Sequence, residues 1–133
     1  MWGSGKKYKA DKVDTLIGQQ TELHGNIEFC GGLHVDGKIK GNVIADNQAA
    51  TLLVLSDKGI IEGEIRAPCL VVNGLVIGDI YASERVELAA NARITGNVYY
   101  QRIEVAMGAE VNGSLVHLDE EPMTNTATGE GKT

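Results

Sequence analysis

Three histidines and two cysteines are the side chains of this 133-residue sequence that could hold a transition metal. No pair among His24, His34 and His117 has the i, i+4 or comparable spacing of a zinc site. Cys30 and Cys69 also lack metal-ligand spacing. We therefore predict surface histidines, two free thiols, no metal and no cofactor.

A second chemistry to consider is acid–base catalysis. Glu62 and Glu64 flank Gly63, but both occupy positions predicted to face solvent. The sequence has no Gly-rich phosphate loop after a strand and no nucleophile elbow. The first hypothesis is therefore that the protein is not an enzyme. The alternatives are a β-helical enzyme of the acyltransferase or carbonic-anhydrase type, and a monomeric surface-binding solenoid.

Charge and hydropathy limit which partners the protein could bind and where in the cell it could be located. The formal net charge of −6 argues against nucleic acid as a primary ligand, because a phosphate backbone needs a basic surface. No run approaches the roughly 18 apolar residues of a membrane span, and no secretory segment is recognised at the N-terminus. A cytoplasmic protein is predicted.

An internal repeat sets the elements that must position all these residues. An aliphatic–x–Gly–x–aliphatic motif occurs six times, and its glycines are 16, 22, 15, 18 and 17 residues apart. A shorter aliphatic–x–aliphatic motif precedes five of the copies. The glycine motifs are 23–27, 39–43, 61–65, 76–80, 94–98 and 111–115, and the shorter motifs are 33–35, 53–55, 70–72, 86–88 and 103–105.

The repeat unit of about 17 residues predicts a coil of short strands. Two stretches of two-residue periodicity flank a turn such as Asp36-Gly37 or Asn73-Gly74, and no run is long enough for a crossover helix. We predict an all-β fold, a right-handed parallel β-helix of about six coils, with equivalent aliphatic residues stacked in interior columns. The right hand is favoured because the spacing departs from a strict hexapeptide period and because parallel crossovers are usually right-handed.

The sequence predicts the positions of three features of this coil. The motif glycine lies between two inward residues and is predicted to point inward, where a side chain would crowd the narrow interior. The extra residues at 46–50 are predicted to bulge outward as a loop. The β-helix is predicted to span 15–118, between a disordered basic tail at 1–14 and a disordered acidic tail at 119–133.

The two ends of the rod are the predicted polymer interface. Soluble solenoids need polar capping units, but here the terminal coils are as aliphatic as the middle ones. Uncapped ends that join end to end make a filament. The predicted interface residues are Ile17, Leu23, Ile27 and Phe29 in the first coil and Val105, Val111, Leu115 and Leu118 in the last.

Two further surfaces are predicted outside the ends. Val54, Val71 and Ile77 are apolar at outward positions and form a candidate lateral patch, although scattered exposure of single apolar residues is common. In the N-terminal tail, Trp2 precedes a cluster of lysines that includes Lys6, Lys7 and Lys9. An interfacial aromatic residue beside clustered lysines indicates weak binding to anionic lipid, which display along a filament would strengthen.

The ordered set of motifs resembles the bactofilin family over about 14–118. The residues that carry the resemblance are 14–18, 25–27, 33–41, 71–74, 85–88, 103–105 and 108–109. The resemblance implies a right-handed β-helix that polymerises with itself without nucleotide. It further implies a cytoplasmic scaffold for cell shape, cell-wall or polar proteins, often on the inner face of the membrane. The tail is similar to the family's membrane-targeting segment without matching it closely.

Overall fold

The computed structural model describes residues 13–46 and 50–119, which form fifteen β-strands and no helix. Most strands are three residues long because Gly-containing turns interrupt them. The strands are β1 (Thr15–Ile17), β2 (Glu22–His24), β3 (Ile27–Phe29), β4 (Gly31–Val35), β5 (Lys38–Lys40), β6 (Val43–Ala45), β7 (Thr51–Leu55), β8 (Ile60–Glu62), β9 (Ile65–Val72), β10 (Leu75–Ile77), β11 (Ile80–Leu88), β12 (Arg93–Thr95), β13 (Val98–Val105), β14 (Glu110–Asn112) and β15 (Leu115–His117).

All strand pairings are parallel, and they stack the chain into a solenoid of six coils with three faces. The first face contains β1, β4, β7 and the C-terminal parts of β9, β11 and β13. The second face is the six-stranded sheet β2-β5-β8-β10-β12-β14. The third face contains β3, β6, the N-terminal parts of β9, β11 and β13, and β15. The predicted β-solenoid is confirmed; its hand stays a prediction.

The interior columns follow the predicted register. Ile39, Ile61 and Val76 pair on the second face, and Val43, Ile65 and Ile80 pair on the third. These six side chains are 0% exposed. On the first face the predicted columns through Leu53 and Leu55 are likewise buried up to the fifth coil, so the core is a stack of aliphatic layers in which like packs on like.

One interior column was not predicted from the sequence. On the third face Phe29 pairs with Ala45, and Ala82 pairs with Ala67 and Tyr100. Ala45, Ala67 and Ala82 are buried, whereas Phe29 and Tyr100 are partly buried against the core near the two ends. The column changes from alanine to aromatic residues, so it lacks the aliphatic signal by which the other columns were found.

The predicted inward direction of the motif glycine is wrong. Gly41, Gly63 and Gly78 lie at the corner between the second and third faces, with φ of 156°, 154° and 146°. A Cβ built on Gly63 would lie 2.1 Å from the carbonyl oxygen of Gly41 in the preceding coil. Glycine is required because the backbone of each coil stacks directly on the backbone of the preceding coil. A side chain would clash with that backbone rather than point into the interior.

A polar ladder runs beside these glycines. Asn42 Oδ1 accepts a 2.9 Å hydrogen bond from the backbone N–H of Glu64, and Asn26 Oδ1 accepts one from Asn42. Asp79 and Asn97 continue the pattern in later coils. Four of the six residues that follow a motif glycine therefore bind a neighbouring coil through their side chains, and each bond contributes about 1 kcal/mol.

The long interval between the second and third glycine motifs keeps the register on both sides. Val43 pairs with Ile65 before it, and Leu53 pairs with Leu70 after it. Asp46 and Ala50 are exposed, while residues 47–49 of the predicted loop lie outside the described residues.

Candidate assembly surfaces

The C-terminal end of the solenoid leaves core positions open. Val72 and Leu88 are 0% exposed, but Val105, the next residue of the same column, is 51% exposed. Val98 is 0% exposed, and its partner Leu115 in the last coil is 47% exposed. Val116 and Met107 add 37% and 93% exposure nearby. The last coil thus ends in an apolar layer that no later coil of the described residues covers.

The sheet edges lie at the same two ends. Strands β14 and β15 terminate the two sheets at one end, and β1 and β2 terminate them at the other. At the first coil Leu23, Ile27 and Phe29 are partly buried. Ile17, which we also predicted for the interface, is only 6% exposed and belongs to the core. At the C-terminal end Val111 and Leu118 are half-buried.

The first face carries an apolar outer surface in its N-terminal half. Val54 pairs with His34 and Val71, and Leu16 pairs with His34. Leu16 is 60% exposed, while Val54 and Val71 are half-buried. Leu52, beside Val54 in β7, has the same half-buried environment. We call Leu16, Leu52, Val54 and Val71 the first-face patch.

Ile77 was predicted to form one lateral patch with Val54 and Val71, but it lies on a different face. It lies in β10 on the second face, pairs with Glu62 and Thr95, and is 43% exposed. A turn at Asn73 and Gly74 separates β9 from β10, so Val71 and Ile77 face solvent in different directions. The lateral patch is therefore two separate surfaces.

The three histidines have local partners, and the two cysteines form no disulfide. The His24 ring lies 2.8 Å from Glu22 and the His34 ring 3.0 Å from Asp36. The His117 ring packs edge-on against Tyr100 at 5.5 Å. Cys30 and Cys69 are free thiols. Over residues 13–46 and 50–119, no three His, Cys, Asp or Glu side chains are grouped to hold a metal ion.

Two ionisable side chains, one in β9 on the first face and one in the turn that follows β4, have shifted pKa values. A hydrogen bond from Ser56 lowers the pKa of Asp36 against the opposing effect of desolvation, and His34 adds to the lowering. Burial raises the pKa of the Cys69 thiol, and the neighbouring Glu84 carboxylate acts in the same direction. The thiol of Cys69 is thus held in its neutral form, which is the less reactive one.

An aromatic stack stands on the outer side of the third face. The rings of Tyr81 and Tyr99 are parallel, with centroids 4.4 Å apart, and the Arg66 guanidinium lies 4.0 Å from the centroid of the Tyr81 ring. Desolvation raises the pKa of Tyr81, and Tyr99, Glu64 and Asp79 contribute to the rise. The stack was not predicted, although all three residues stand three positions after a motif glycine.

The predicted membrane-binding residues Trp2, Lys6, Lys7 and Lys9 lie outside the described residues. Within the ranges that the structure describes, no helix has the length and hydropathy to cross a bilayer.

Comparison with known proteins supplies the context for these surfaces. A family model named Bactofilin and described as polymer-forming and cytoskeletal matches residues 15–116. The chain is similar to bactofilin BacO of Myxococcus xanthus (strain DK1622), with 29% identity over 103 residues that cover 77% of this chain and 79% of that protein. It is similar to bactofilin BacP of the same strain, with 26% identity over 109 residues that cover 82% of this chain and 44% of that protein. No solved structure matches the chain significantly.

Proposed function

The chain belongs to the bactofilin family of polymer-forming cytoskeletal proteins, and we propose that it assembles into filaments by joining its terminal coils end to end. The proposed assembly needs no nucleotide. In this account the filament is a cytoplasmic scaffold that organises cell-shape, cell-wall or polar proteins, and no catalytic step takes part.

The observation that carries the proposal is the change in exposure along the interior columns. Side chains at equivalent positions are 0% exposed in the middle coils and about half exposed in the last coil, as Leu88 and Val105 illustrate. A further coil stacked on this end would bury them in the same way as the coil before. Full burial of one such side chain contributes about 1.5–3 kcal/mol.

The open sheet edges support the same arrangement. At both ends an edge strand has backbone N–H and C=O groups directed along the rod, as each strand inside the stack does toward its neighbour. A second subunit that adds a parallel or antiparallel coil there would satisfy these groups. The end joint therefore combines apolar burial with hydrogen bonds, and over the described residues only the ends offer the two together.

The first-face patch gives a proposed lateral contact between filaments. The face is about 29 Å long for six coils spaced about 4.8 Å apart. With a strand of five residues as its width, the whole face offers roughly 500 Å² per subunit, about 1,000 Å² per pair; the first-face patch covers only part of it and so lies below the usual size of a stable interface. Lateral contact thus becomes effective only when many subunits in a filament act together.

The N-terminal tail gives a proposed attachment to the inner face of the membrane. Trp2 favours the headgroup region, and each of Lys6, Lys7 and Lys9 contributes about 1 kcal/mol near an anionic surface. Binding by one tail is weak and reversible. A filament presents one tail per subunit, so the whole filament binds through many tails at once.

Electron microscopy of the purified protein without nucleotide tests the proposal. Long thin filaments, formed equally after nucleotide has been removed enzymatically, are the expected result. A discrete trimer that contains zinc would contradict it and would favour an enzyme of the carbonic-anhydrase type.

A further inference from the structure

Charge is divided unequally among the three faces. We count with the third face the corner residues that follow each motif glycine and the junction residues that lead to the first face. Among the described residues this third face has five carboxylates and one basic side chain, Arg66, for a formal charge of −4. On the second face carboxylates and basic side chains are equal in number. The five carboxylates are those of Glu28, Asp46, Glu64, Asp79 and Glu84.

The third face also has a surface suited to cationic side chains. Tyr81 and Tyr99 stack at its centre, and the stack already holds the guanidinium of Arg66 at 4.0 Å from one ring. Aromatic rings attract cations through their faces, and neighbouring carboxylates reinforce the attraction. Arg66 and Tyr99 cover the two faces of the Tyr81 ring, so the second face of Tyr99 is the one left for a further cation. The combination of stacked rings and carboxylates distinguishes this face from a merely acidic surface.

The N-terminal segment has the complementary charge. Residues 1–12 contain four lysines and one aspartate, which gives a formal charge of +3 on a chain whose net charge is −6. The lysines are Lys6, Lys7, Lys9 and Lys12. Opposite charges at this density attract over about a Debye length, roughly 8–10 Å at physiological salt.

The topology attaches this segment beside the third face. Thr15 pairs with Leu33, so Val13 occupies the position that Gly31 has in the next coil. Gly31 follows the third-face strand β3 within two residues. Val13 therefore lies at the junction of the third and first faces in the first coil.

The length of the segment fits the height of the face. An extended chain spans about 3.3–3.6 Å per residue, so Lys6, seven residues before Val13, reaches up to about 25 Å. The Tyr81–Tyr99 stack lies three to four coils above the first coil, or roughly 14–19 Å along the rod. Tethering at Val13 keeps the lysines at an effective concentration in the millimolar range around the face.

We propose that the N-terminal segment 1–12 docks on the third face of its own subunit, with its lysines against the carboxylates and the Tyr81–Tyr99 stack. The docked lysines are not available to an anionic membrane. The same segment therefore alternates between its own subunit and lipid, and a membrane surface competes with the third face for it. The docking itself does not depend on filament formation or on lipid binding.

The single tryptophan of the chain, Trp2, reports directly on this segment. In the full-length protein at low salt, we expect acrylamide to quench Trp2 about half as efficiently as at 0.5 M NaCl, where screening releases the segment. The double variant Glu28→Gln and Glu84→Gln should show the high-salt quenching constant already at low salt. The double variant Glu87→Gln and Glu104→Gln makes the same change of charge on the first face and should retain protection.

Three results would overturn the proposal. Equal quenching of Trp2 at both salt concentrations means that the segment is not docked. Equal loss of protection in both double variants means that net charge, rather than the third face, attracts it. Protection that appears only at protein concentrations at which filaments form means that a neighbouring subunit, rather than its own, receives the segment. Unchanged circular dichroism of the variants shows that any effect is not caused by unfolding.

Discussion

The Cβ position of Gly63 lies 2.1 Å from the carbonyl oxygen of Gly41, one coil below it. Gly78 and Gly96 repeat the relationship, at 2.2 Å from the oxygens of Gly63 and Gly78. Backbone thus stacks on backbone along one corner of the rod. Because this stacking continues from coil to coil, the corner fixes how closely successive coils approach and hence how the interior columns pack.

Three glycine-to-alanine variants distinguish two reasons why glycine occupies this corner: the positive φ and the close approach of the preceding coil. Gly63→Ala combines positive φ with the steric clash, and we expect a loss of roughly 3 kcal/mol or more in the free energy of unfolding. Gly25 has φ of 124° but open space around its Cβ position, so Gly25→Ala should cost only about 1–2 kcal/mol.

Gly18→Ala is the matched control, because its Cβ would meet no atom within 4 Å. Its unfolding free energy should stay within about 0.5–1 kcal/mol of the wild type. Urea unfolding monitored by circular dichroism measures all three. An equal cost at Gly25 and Gly63 would show that clash with the preceding coil is not what selects glycine.

Much of the fold follows from the sequence because like residues pair with like. The aliphatic columns through Ile61 and Leu53 repeat often enough that aligning the motifs places them in register. The direction of the motif glycine does not follow, because strand alternation assumes a continuous strand and the chain turns a corner there. Ile77 was grouped with Val54 for the same reason: the position of the corner decides which face a residue belongs to.

The surfaces outside the core were only partly predictable. The Tyr81–Tyr99 stack depends on residues that share a repeat position, which alignment reveals, but their ring contact depends on side-chain orientation. The interior column that runs from Phe29 through three alanines to Tyr100 has no uniform residue type, so it gives no periodic signal. The exposed last layer at Leu115 is predictable, since a repeat that stops without a polar cap leaves its final layer open.

The first-face patch is tested by Val54→Lys together with Val71→Lys. Two ammonium groups on this flat surface should prevent one filament from packing against another, so electron micrographs should show single filaments in place of bundles. Filament length should not change, because both residues are remote from the ends. Ile77→Lys places a charge on the second face and should leave bundling intact.

If bundles persist in the variant that carries both Val54→Lys and Val71→Lys, the first face is not the lateral contact between filaments. A loss of bundling in the Ile77→Lys variant alone would assign the lateral contact to the second face instead. Thermal unfolding of both variants is the control, since Val54 and Val71 are adjacent and half-buried.

The N-terminal tail is tested by Lys6→Gln, Lys7→Gln and Lys9→Gln in one variant. At about 1 kcal/mol for each lysine, the affinity of a single tail for vesicles that contain phosphatidylglycerol should fall by roughly a hundredfold. Co-sedimentation with vesicles measures this loss. Lys38→Gln, Lys40→Gln and Lys58→Gln remove the same charge from the solenoid and should have little effect; a similar loss in both variants would contradict a specific role for the tail.

The most direct test of end-to-end assembly is the fraction of protein that ultracentrifugation pellets for Leu115→Lys compared with Asn112→Lys. Both variants add one charge to the last coil, but Leu115 belongs to the open interior column and Asn112 is an exposed outward residue. We predict that Leu115→Lys reduces the pelleted fraction to near background while keeping a β-type circular dichroism spectrum, and that Asn112→Lys pellets like the wild type. Filaments of normal length and yield from Leu115→Lys would contradict the account.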